Sequence, residues 1–348
     1  MKFSLIACCI TLIATLSVSA NSEYNQEEIY EPITPERIKK IMTIIKNPKS
    51  NPNFIPVCAH RGLWLDSAAE NSISALVDTV TYGIECIEMD VRATADSPTT
   101  GEHVIFHDSI VDRLLTDPNG HPVTGYVENY TTDQLKQMRY RNRLLEVTDD
   151  NVLTIDQFLD LIWDEETHFP RLIANYDLKT RDIATLRTLV TKLKNKGLLE
   201  YSVIKSTATP ADVNEAIKGI TDFQEMLFTP IIYDNMPDYE ARFKEFKNLG
   251  VKSFELVIKN YKSPFLTPGG MVDQIIAGNG WNGLFDQWPE SPKGRFDNST
   301  FQWVDMDDND IRGNFDSILK TRSQFVISDH PLLLIDYLEI MGKRHLEQ

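Results

Sequence analysis

Short apolar runs bounded by turn-forming residues recur along the chain, and segments with helical periodicity separate most of them. Runs of this length are typical of parallel strands that are covered on both faces. The predicted strands occupy residues 54–59, 83–87, 171–178, 201–205, 226–233, 251–258, 301–306 and 323–328. A βα repeat of about eight units predicts an α/β fold, a (β/α)8 TIM barrel. A doubly wound open sheet is the alternative, but no glycine-rich dinucleotide fingerprint follows any strand.

The helical pattern is clearest after the first strand, where a helix is predicted over residues 67–82 and ends at Gly83. Its predicted buried stripe consists of Ile73, Leu76, Val77 and Val80. Residues 104–106 follow the second strand without an intervening helix, so we expect them to form a returning arm of that strand. Residues 259–300 are rich in Gly, Pro, Asn and Trp, which predicts a long loop-bearing connection.

The chain divides into a signal peptide at residues 1–20, an N-terminal extension at 21–52 and a barrel domain at 53–348. Residues 109–150 lose the βα period and are expected to form a small polar insertion after the second strand. In the extension, the apolar positions of residues 38–45 predict a helix that lies across the bottom of the fold.

The first residues have the pattern of a secretory signal. Lys2 precedes an apolar stretch over residues 3–16, and small residues predict cleavage after Ala20. The stretch is short for a membrane span, so we expect a secreted or periplasmic protein without a stable membrane anchor. Cys58 and Cys86 are expected to be buried free thiols, because adjacent parallel strands seldom present disulfide geometry.

The net charge of −16 disfavours a nucleic-acid partner and electrostatic docking on anionic membranes. A site for a phosphate group must therefore be locally basic, and Arg61 and Lys179 are the residues predicted to supply that charge.

Ionisable side chains follow the apolar strands at the positions where these strands end. His60 and His107 each end an apolar run, and Glu88 and Asp90 share one strand face because side chains alternate along a strand. Burying such groups is costly unless they are paired or bind a metal ion. Two adjacent carboxylates suit Mg²⁺, Ca²⁺ or Mn²⁺ better than Zn²⁺. Two histidines at strand ends favour general acid–base chemistry.

The order His60-Arg61-Gly62, Glu70-Asn71-Ser72, Glu88-Met89-Asp90-Val91 and His107-Asp108 resembles the glycerophosphodiester phosphodiesterase family. The resemblance implies His60 and His107 as general acid and base. It also implies a divalent ion held by Glu88, Asp90 and Asp177, although the family usually has Glu where this chain has Asp177. Glu255 is the next candidate for a third ligand. The string Trp303-Val304-Asp305-Met306 stands where the family commonly has Trp-Thr-Val-Asn.

The resemblance implies metal-dependent hydrolysis of a small-molecule glycerophosphodiester to sn-glycerol 3-phosphate and an alcohol. Ca²⁺ is favoured over Mg²⁺, because weak extracellular Ca²⁺ sites need only a few carboxylates. One alternative is a lipid-directed phospholipase D-like or lysophospholipase activity on the same barrel, for which Trp281, Phe285 and Trp288 would be exposed apolar side chains. The other alternative is a non-catalytic barrel that only binds a phosphodiester.

Overall fold

Parallel strands form the centre of the fold. The computed structural model describes residues 33–64, 67–180, 182–258, 261–286 and 315–346. In chain order, the strands are β1 (Val57–Ala59), β2 (Cys86–Ala93), β3 (His103–Ile105), β4 (Leu115–Thr116), β5 (Arg139–Arg141), β6 (Val147–Asn151), β7 (Trp163–Asp164), β8 (Phe169–Pro170), β9 (Ile173–Leu178), β10 (Ser202–Ser206), β11 (Leu227–Tyr233), β12 (Phe254–Val257), β13 (Asn282–Asp286) and β14 (Phe325–Ser328). The helices are Pro35–Lys46, Ile73–Thr81, Ser97–Thr100, Thr132–Leu135, Ile155–Ile162, Ile183–Asn195, Pro210–Ile217, Tyr239–Asn248, Met271–Ala277, Phe315–Lys320 and Pro331–Ile340.

Among the described residues, eight parallel strands close into a barrel in the order β1, β2, β9, β10, β11, β12, β13 and β14. The barrel is closed because β1 pairs in parallel with both β14 and β2. Helices flank the barrel, and the predicted TIM barrel is confirmed. β3 runs antiparallel to β2, which confirms the predicted returning arm at residues 104–106. No described helix has the length and apolar character needed to cross a membrane.

The seventh barrel strand lies elsewhere than predicted. It is β13, which pairs with β12 and β14 and lies inside the stretch 259–300 that we expected to be a long connection. Its sequence, Asn282 to Asp286, carries only two bulky apolar residues and a glycine, so hydrophobic periodicity alone does not identify it. The predicted strand at residues 301–306 and the signal peptide at residues 1–20 lie outside the described residues.

An N-terminal helix covers the end of the barrel at which the strands begin. Thr34 caps this helix by accepting a hydrogen bond from the backbone N–H of Arg37, and Pro35 occupies its first turn. The helix buries Ile38, Ile41 and Ile45 at the spacing of one helical face. These residues share one apolar cluster with residues at the starts of the strands, including Ile173, Val203, Trp281 and Phe325. The predicted position of this helix is therefore confirmed.

Cys58 and Cys86 form a disulfide, so the prediction of free thiols was wrong. The register of β1 against β2 places the two residues directly opposite each other. Their Cα atoms are 4.3 Å apart, and both side chains are fully buried. The disulfide joins the two strands two residues before His60 and Glu88.

The predicted insertion at residues 109–150 has an apolar core of its own, which its polar composition did not indicate. β4, β5 and β6 form a three-stranded antiparallel sheet. Residues of the insertion, among them Leu115, Leu135 and Tyr140, pack with Val104 and Phe106 of the barrel. The buried Tyr140 hydroxyl donates a 2.8 Å hydrogen bond to the Ile105 carbonyl. These contacts fix the insertion beside the ends of β2 and β3.

The helix after β1 begins later than predicted, at Ile73, with Ser72 as its N-cap. Asn71 lies before the helix and has a positive φ of 60°. Its side chain donates a hydrogen bond to the Asp90 carboxylate and accepts one from the Asp90 backbone N–H. The buried side chains are Ala75, Leu76 and Thr79, whereas Ile73 is exposed. Only Leu76 of the predicted stripe is buried.

The buried ion pair between Glu85 and Arg344 provides a test of the fold. The Arg344 guanidinium donates hydrogen bonds of 2.6 and 2.9 Å to the Glu85 carboxylate. Burial raises the pKa of Glu85, but Arg344 outweighs this effect and holds the pKa below its usual value. Arg344→Met is expected to lower the free energy of unfolding by roughly 3–5 kcal/mol, because it leaves a buried carboxylate uncompensated.

Urea unfolding measures this loss, and the loss should be largest near neutral pH. The native pair stabilises the fold above the unfolded pKa of Glu85 and loses this effect as the pH falls through the folded pKa. In the variant, burial raises the pKa of Glu85. The difference in the free energy of unfolding between wild type and variant therefore becomes smaller at acidic pH. Arg322→Met is the matched control, since its pair with Asp273 is largely exposed and is worth about 1 kcal/mol or less. Equal losses in the two variants would contradict the prediction.

Candidate active site

The ionisable side chains collect at the end of the barrel where the strands finish. Glu88 and Asp90 lie on β2, and Asp177 lies on β9. The strand register sets Asp90 directly beside Asp177, and Asp177 directly beside Lys205 of β10. One row across three neighbouring strands thus carries two carboxylates and an ammonium group.

Glu88, Asp90 and Asp177 form the acidic cluster, which is the predicted metal site. One carboxylate oxygen from each lies within 4.8 Å of the others. Glu88 and Asp90 are fully buried and Asp177 is 8% exposed. The buried oxygens Glu88 Oε1 and Asp90 Oδ1 accept no hydrogen bond from the described part of the chain, although ammonium groups lie 3.2 and 3.0 Å from them. Buried carboxylate oxygens with unused acceptor capacity fit a divalent cation that prefers oxygen ligands.

Lys179 lies against the acidic cluster. Its Nζ atom is 2.8 Å from Asp177 Oδ2 and 3.0 Å from Asp90 Oδ1. Burial raises the pKa of Asp90, but Lys179, His107, Arg61 and His60 together bring the pKa well below its usual value. Burial also raises the pKa of Asp177, and Lys179 and Lys205 reverse that effect. Both carboxyl groups are therefore ionised at neutral pH.

The His60-Arg61-Gly62 turn is built so that Arg61 contacts the acidic cluster. Arg61 and Gly62 both have positive φ angles, and a Cβ atom at Gly62 would come within 2.7 Å of Ala75. The backbone N–H of Arg61 donates to Glu88 at 3.1 Å. Its guanidinium lies 3.3 Å from Asp90 Oδ2 and donates to Glu70 at 2.8 Å. Arg61 is 2% exposed, and its contact with a substrate phosphate stays a prediction.

His107 belongs to a second network that involves the insertion. Its Nδ1 lies 2.7 Å from Asp108 Oδ1. Arg113 binds that same aspartate and also donates to Glu70. Burial raises the pKa of Glu70, but the guanidinium groups of Arg61 and Arg113 outweigh it and bring the pKa to about 2. Because Glu70 touches both arginines, it connects the His107 network to the His60 turn.

Asp329 is a site residue that sequence analysis missed. His60 Nδ1 lies 2.7 Å from Asp329 Oδ1, and His60 Nε2 lies 3.9 Å from Glu88. Asp329 directly follows the apolar strand β14, so the strand-end rule that identified His60 would have found it. Each of the two histidines therefore has a carboxylate at its Nδ1 atom.

Lys205 and Glu255 complete the charges inside this end of the barrel. The sequence suggested Glu255 as a reserve ligand, and it did not suggest Lys205. Lys205 Nζ lies 3.2 Å from Glu88, 3.5 Å from Asp177 and 3.3 Å from Glu255. Glu255 contacts this lysine and is not a member of the acidic cluster.

Of the three aromatic residues expected at the surface, only Trp281 has a described side chain. Trp281 is 1% exposed and stacks on Phe325, with ring centroids 4.6 Å apart, so its predicted exposure was wrong. Trp288 and the string at residues 303–306 lie outside the described residues. Trp64 instead lies beside the site, where its indole N–H donates to the His60 carbonyl at 2.9 Å. The guanidinium of Arg143, from the insertion, lies 3.9 Å from the centroid of the Trp64 ring.

Comparison with known proteins gives one family and a set of similar folds. Residues 60–261 match the model of the glycerophosphoryl diester phosphodiesterase family. A glycerophosphoryl diester phosphodiesterase structure from Parabacteroides distasonis is similar, with 15% identity, a TM-score of 0.61 and coverage of 90% of this chain and 94% of that one. A putative one from Silicibacter pomeroyi has 16% identity, a TM-score of 0.62 and coverage of 86% and 98%.

A phosphodiesterase from Oleispira antarctica, solved in complex with the product sn-glycerol-3-phosphate, has 17% identity, a TM-score of 0.56 and coverage of 82% and 97%. At these identities the likeness shows the shared fold. The uncharacterized protein y4eD of Sinorhizobium fredii is 29% identical over 167 residues, 45% of this chain and 40% of that protein. The chain thus spans about two fifths of the length of this curated relative.

The contact between His60 and Asp329 is expected to affect the pKa of the His60 imidazole. Burial lowers the pKa of His60, but Asp329 and Glu88 outweigh burial and the opposing charge of Arg61, so the pKa is raised. Asp329→Asn is therefore expected to lower the pKa of His60, as measured by an NMR titration of its imidazole with chelator present. The raised pKa stabilises the fold below pH ~6.5, and this effect is lost as the pH rises through the folded pKa. Asp316→Asn, at a carboxylate that binds Tyr337, is the control. An unchanged His60 pKa in Asp329→Asn would contradict the assignment.

Proposed function

The chain belongs to the glycerophosphoryl diester phosphodiesterase family, and we propose on that basis that it hydrolyses glycerophosphodiesters to sn-glycerol 3-phosphate and an alcohol. The observation that carries the proposal is the pair of histidines beside one acidic cluster. His60 Nε2 lies 3.9 Å from Glu88. His107 is linked to Arg61 of the same site through Asp108, Arg113 and Glu70. A small-molecule phosphodiester is the proposed substrate.

Glu88, Asp90 and Asp177 are the residues proposed to hold a divalent cation. When bound, such an ion offsets negative charge on phosphoryl oxygens. Lys179 adds a positive charge at the same place, and its side chain is 20% exposed, whereas Asp90 is fully buried. A phosphate group is thereby bound although the whole chain carries a net charge of −16.

His60 and His107 are proposed to move the protons. In each, the carboxylate at Nδ1 orients the ring and leaves Nε2 as the atom that exchanges a proton with the substrate. One histidine accepts the proton of the nucleophile as its oxygen forms a bond to phosphorus. The other donates a proton to the oxygen of the alcohol, whose bond to phosphorus breaks. Asp329 and Asp108 stabilise whichever ring is protonated.

We propose that the protein works outside the cytoplasm and uses Ca²⁺ in preference to Mg²⁺. The signal-like pattern of residues 1–20 supports export. The disulfide between Cys58 and Cys86 adds support, since disulfides persist in oxidising compartments. Extracellular Ca²⁺ sites with a few carboxylates have a Kd of ~10⁻⁴–10⁻³ M.

The substrate class is tested by comparing choline release from glycerophosphocholine with choline release from lysophosphatidylcholine. Turnover confined to the lysolipid would replace this proposal with the lipid-directed one.

Replacing either histidine tests the proton-transfer proposal. His60→Ala and His107→Ala are each expected to lower kcat on glycerophosphocholine by ~10²–10⁴, because general acid–base groups typically contribute that much. Isothermal titration with Ca²⁺ should show that both variants still bind the ion. His121→Ala is the control, since that exposed histidine pairs only with the insertion residue Asp117 among the described contacts. Near-full turnover in His107→Ala would exclude this residue from the reaction.

Metal removal and Asp177→Asn test the acidic cluster. Chelation is expected to abolish turnover, and Ca²⁺ should restore it at least as well as Mg²⁺. Asp177→Asn removes one anionic ligand and should raise the Ca²⁺ concentration required, with activity returning at high Ca²⁺. Asp156→Asn is the matched control, because it breaks a carboxylate–lysine pair with Lys192 that belongs to no part of the site. Restoration by Mg²⁺ alone would refute the choice of ion, and an unchanged Ca²⁺ requirement would place the third ligand elsewhere.

A further inference from the structure

Lys205 is a buried cation with no role in the proposed reaction. It is 3% exposed and lies on β10, between Asp177 of β9 and Thr229 of β11 in the strand register. Its Nζ atom reaches two of the three residues of the acidic cluster, Glu88 at 3.2 Å and Asp177 at 3.5 Å. The ammonium group thus lies within 3.5 Å of three carboxylates, those of Glu88, Asp177 and Glu255.

Glu255 is the third carboxylate in contact with this ammonium group. Glu255 Oε2 lies 3.3 Å from Lys205 Nζ, and Glu255 is 3% exposed. An isolated charge at this depth would be strongly unfavourable, so each member of the pair makes burial of the other possible. In this pair the lysine also contacts Glu88 and Asp177, whereas the glutamate lies on β12.

The charged groups in and around the acidic cluster have a net charge that one divalent ion would neutralise. Four carboxylates, of Glu88, Asp90, Asp177 and Glu255, face the ammonium groups of Lys179 and Lys205. When all six groups are ionised, the negative charges of two carboxylates are left without a positive partner. One divalent cation neutralises them. Arg61 is shared between Asp90 and Glu70, and Arg113 is shared between Glu70 and Asp108.

We propose that Lys205, oriented by Glu255, is a built-in counter-charge that holds Glu88 and Asp177 in place without an ion and weakens the binding of a divalent cation to the acidic cluster. This inference rests on the proposed function, since it concerns the ion that the proposed reaction uses. Lys205 is a positioning residue and touches no reacting atom. Its effect on affinity is electrostatic, because a fixed positive charge beside the ligands repels an arriving cation. Its effect on the ion-free protein is to lower the repulsion between the carboxylates.

The two members of the pair should change ion binding in opposite directions. Lys205→Met removes the repelling charge and is expected to lower the Kd for Ca²⁺ by about tenfold. Glu255→Gln leaves the ammonium group uncompensated and is expected to raise that Kd by about tenfold. The double variant Lys205→Met/Glu255→Gln should bind Ca²⁺ more tightly than Glu255→Gln alone. A purely structural role would weaken binding in all of these variants, because each disturbs the same buried cluster.

The experiment is isothermal titration of the full chain with CaCl₂ after chelator treatment, with thermal unfolding recorded with and without Ca²⁺. Lys205→Met should show a lower Tm than wild type in chelator and a larger rise in Tm on adding Ca²⁺. Lys192→Met is the control, since it removes a partly buried lysine that pairs with carboxylates outside the site. It should lower the Tm and leave the Kd unchanged.

An unchanged or weaker Ca²⁺ affinity in folded Lys205→Met overturns the inference. If that variant does not fold, Glu255→Gln decides, and a Kd equal to or below that of wild type overturns the inference. Hydrolysis of glycerophosphocholine is measured on the same wild-type preparation. Wild type that binds Ca²⁺ without hydrolysing the diester refutes the proposed function, while the titration of Lys205→Met still decides the role of Lys205.

Discussion

Repulsion among buried carboxylates is the constraint around which this end of the barrel is organised. Glu88 and Asp90 lie on one face of β2, and the register adds Asp177 beside them. Such a group cannot stay ionised and buried without nearby positive charge. Arg61, Lys179 and Lys205 provide that charge from three different strands or turns. Of these three, Arg61 also binds Glu70 and thereby links the His60 turn to the carboxylates.

The rest of the barrel keeps these strands in register. The disulfide between Cys58 and Cys86 joins β1 to β2 two residues before His60 and Glu88. The N-terminal helix closes the opposite end of the barrel with a cluster of apolar residues. Glu85 and Arg344 attach the end of the chain to the start of β2. The lower part of the barrel is therefore held by apolar packing, one disulfide and one buried ion pair, and the charges of the site lie at the opposite end.

The insertion is part of this arrangement. Its apolar core packs on Val104 and Phe106, and Arg113 extends from it to Asp108 and Glu70. His107 is thereby oriented by residues on both sides of the junction between barrel and insertion. His60 is oriented from a different direction, by Asp329 at the end of β14. The two histidines are oriented by different carboxylates from different parts of the barrel, which is compatible with the separate acid and base roles proposed for them.

The sequence by itself determined the barrel and most of the residues at its functional end. Apolar runs, two-residue alternation and polar groups at strand ends are local features, and together with the family resemblance they predict that Glu88, Asp90 and Asp177 lie together. Only the tertiary structure decided that Asp329 lies beside His60, that Lys205 lies among the carboxylates, that Cys58 pairs with Cys86 and that β13 is the seventh strand. The physical reason is that these contacts depend on the register between strands, and side-chain alternation within one strand leaves the stagger of its neighbours undetermined.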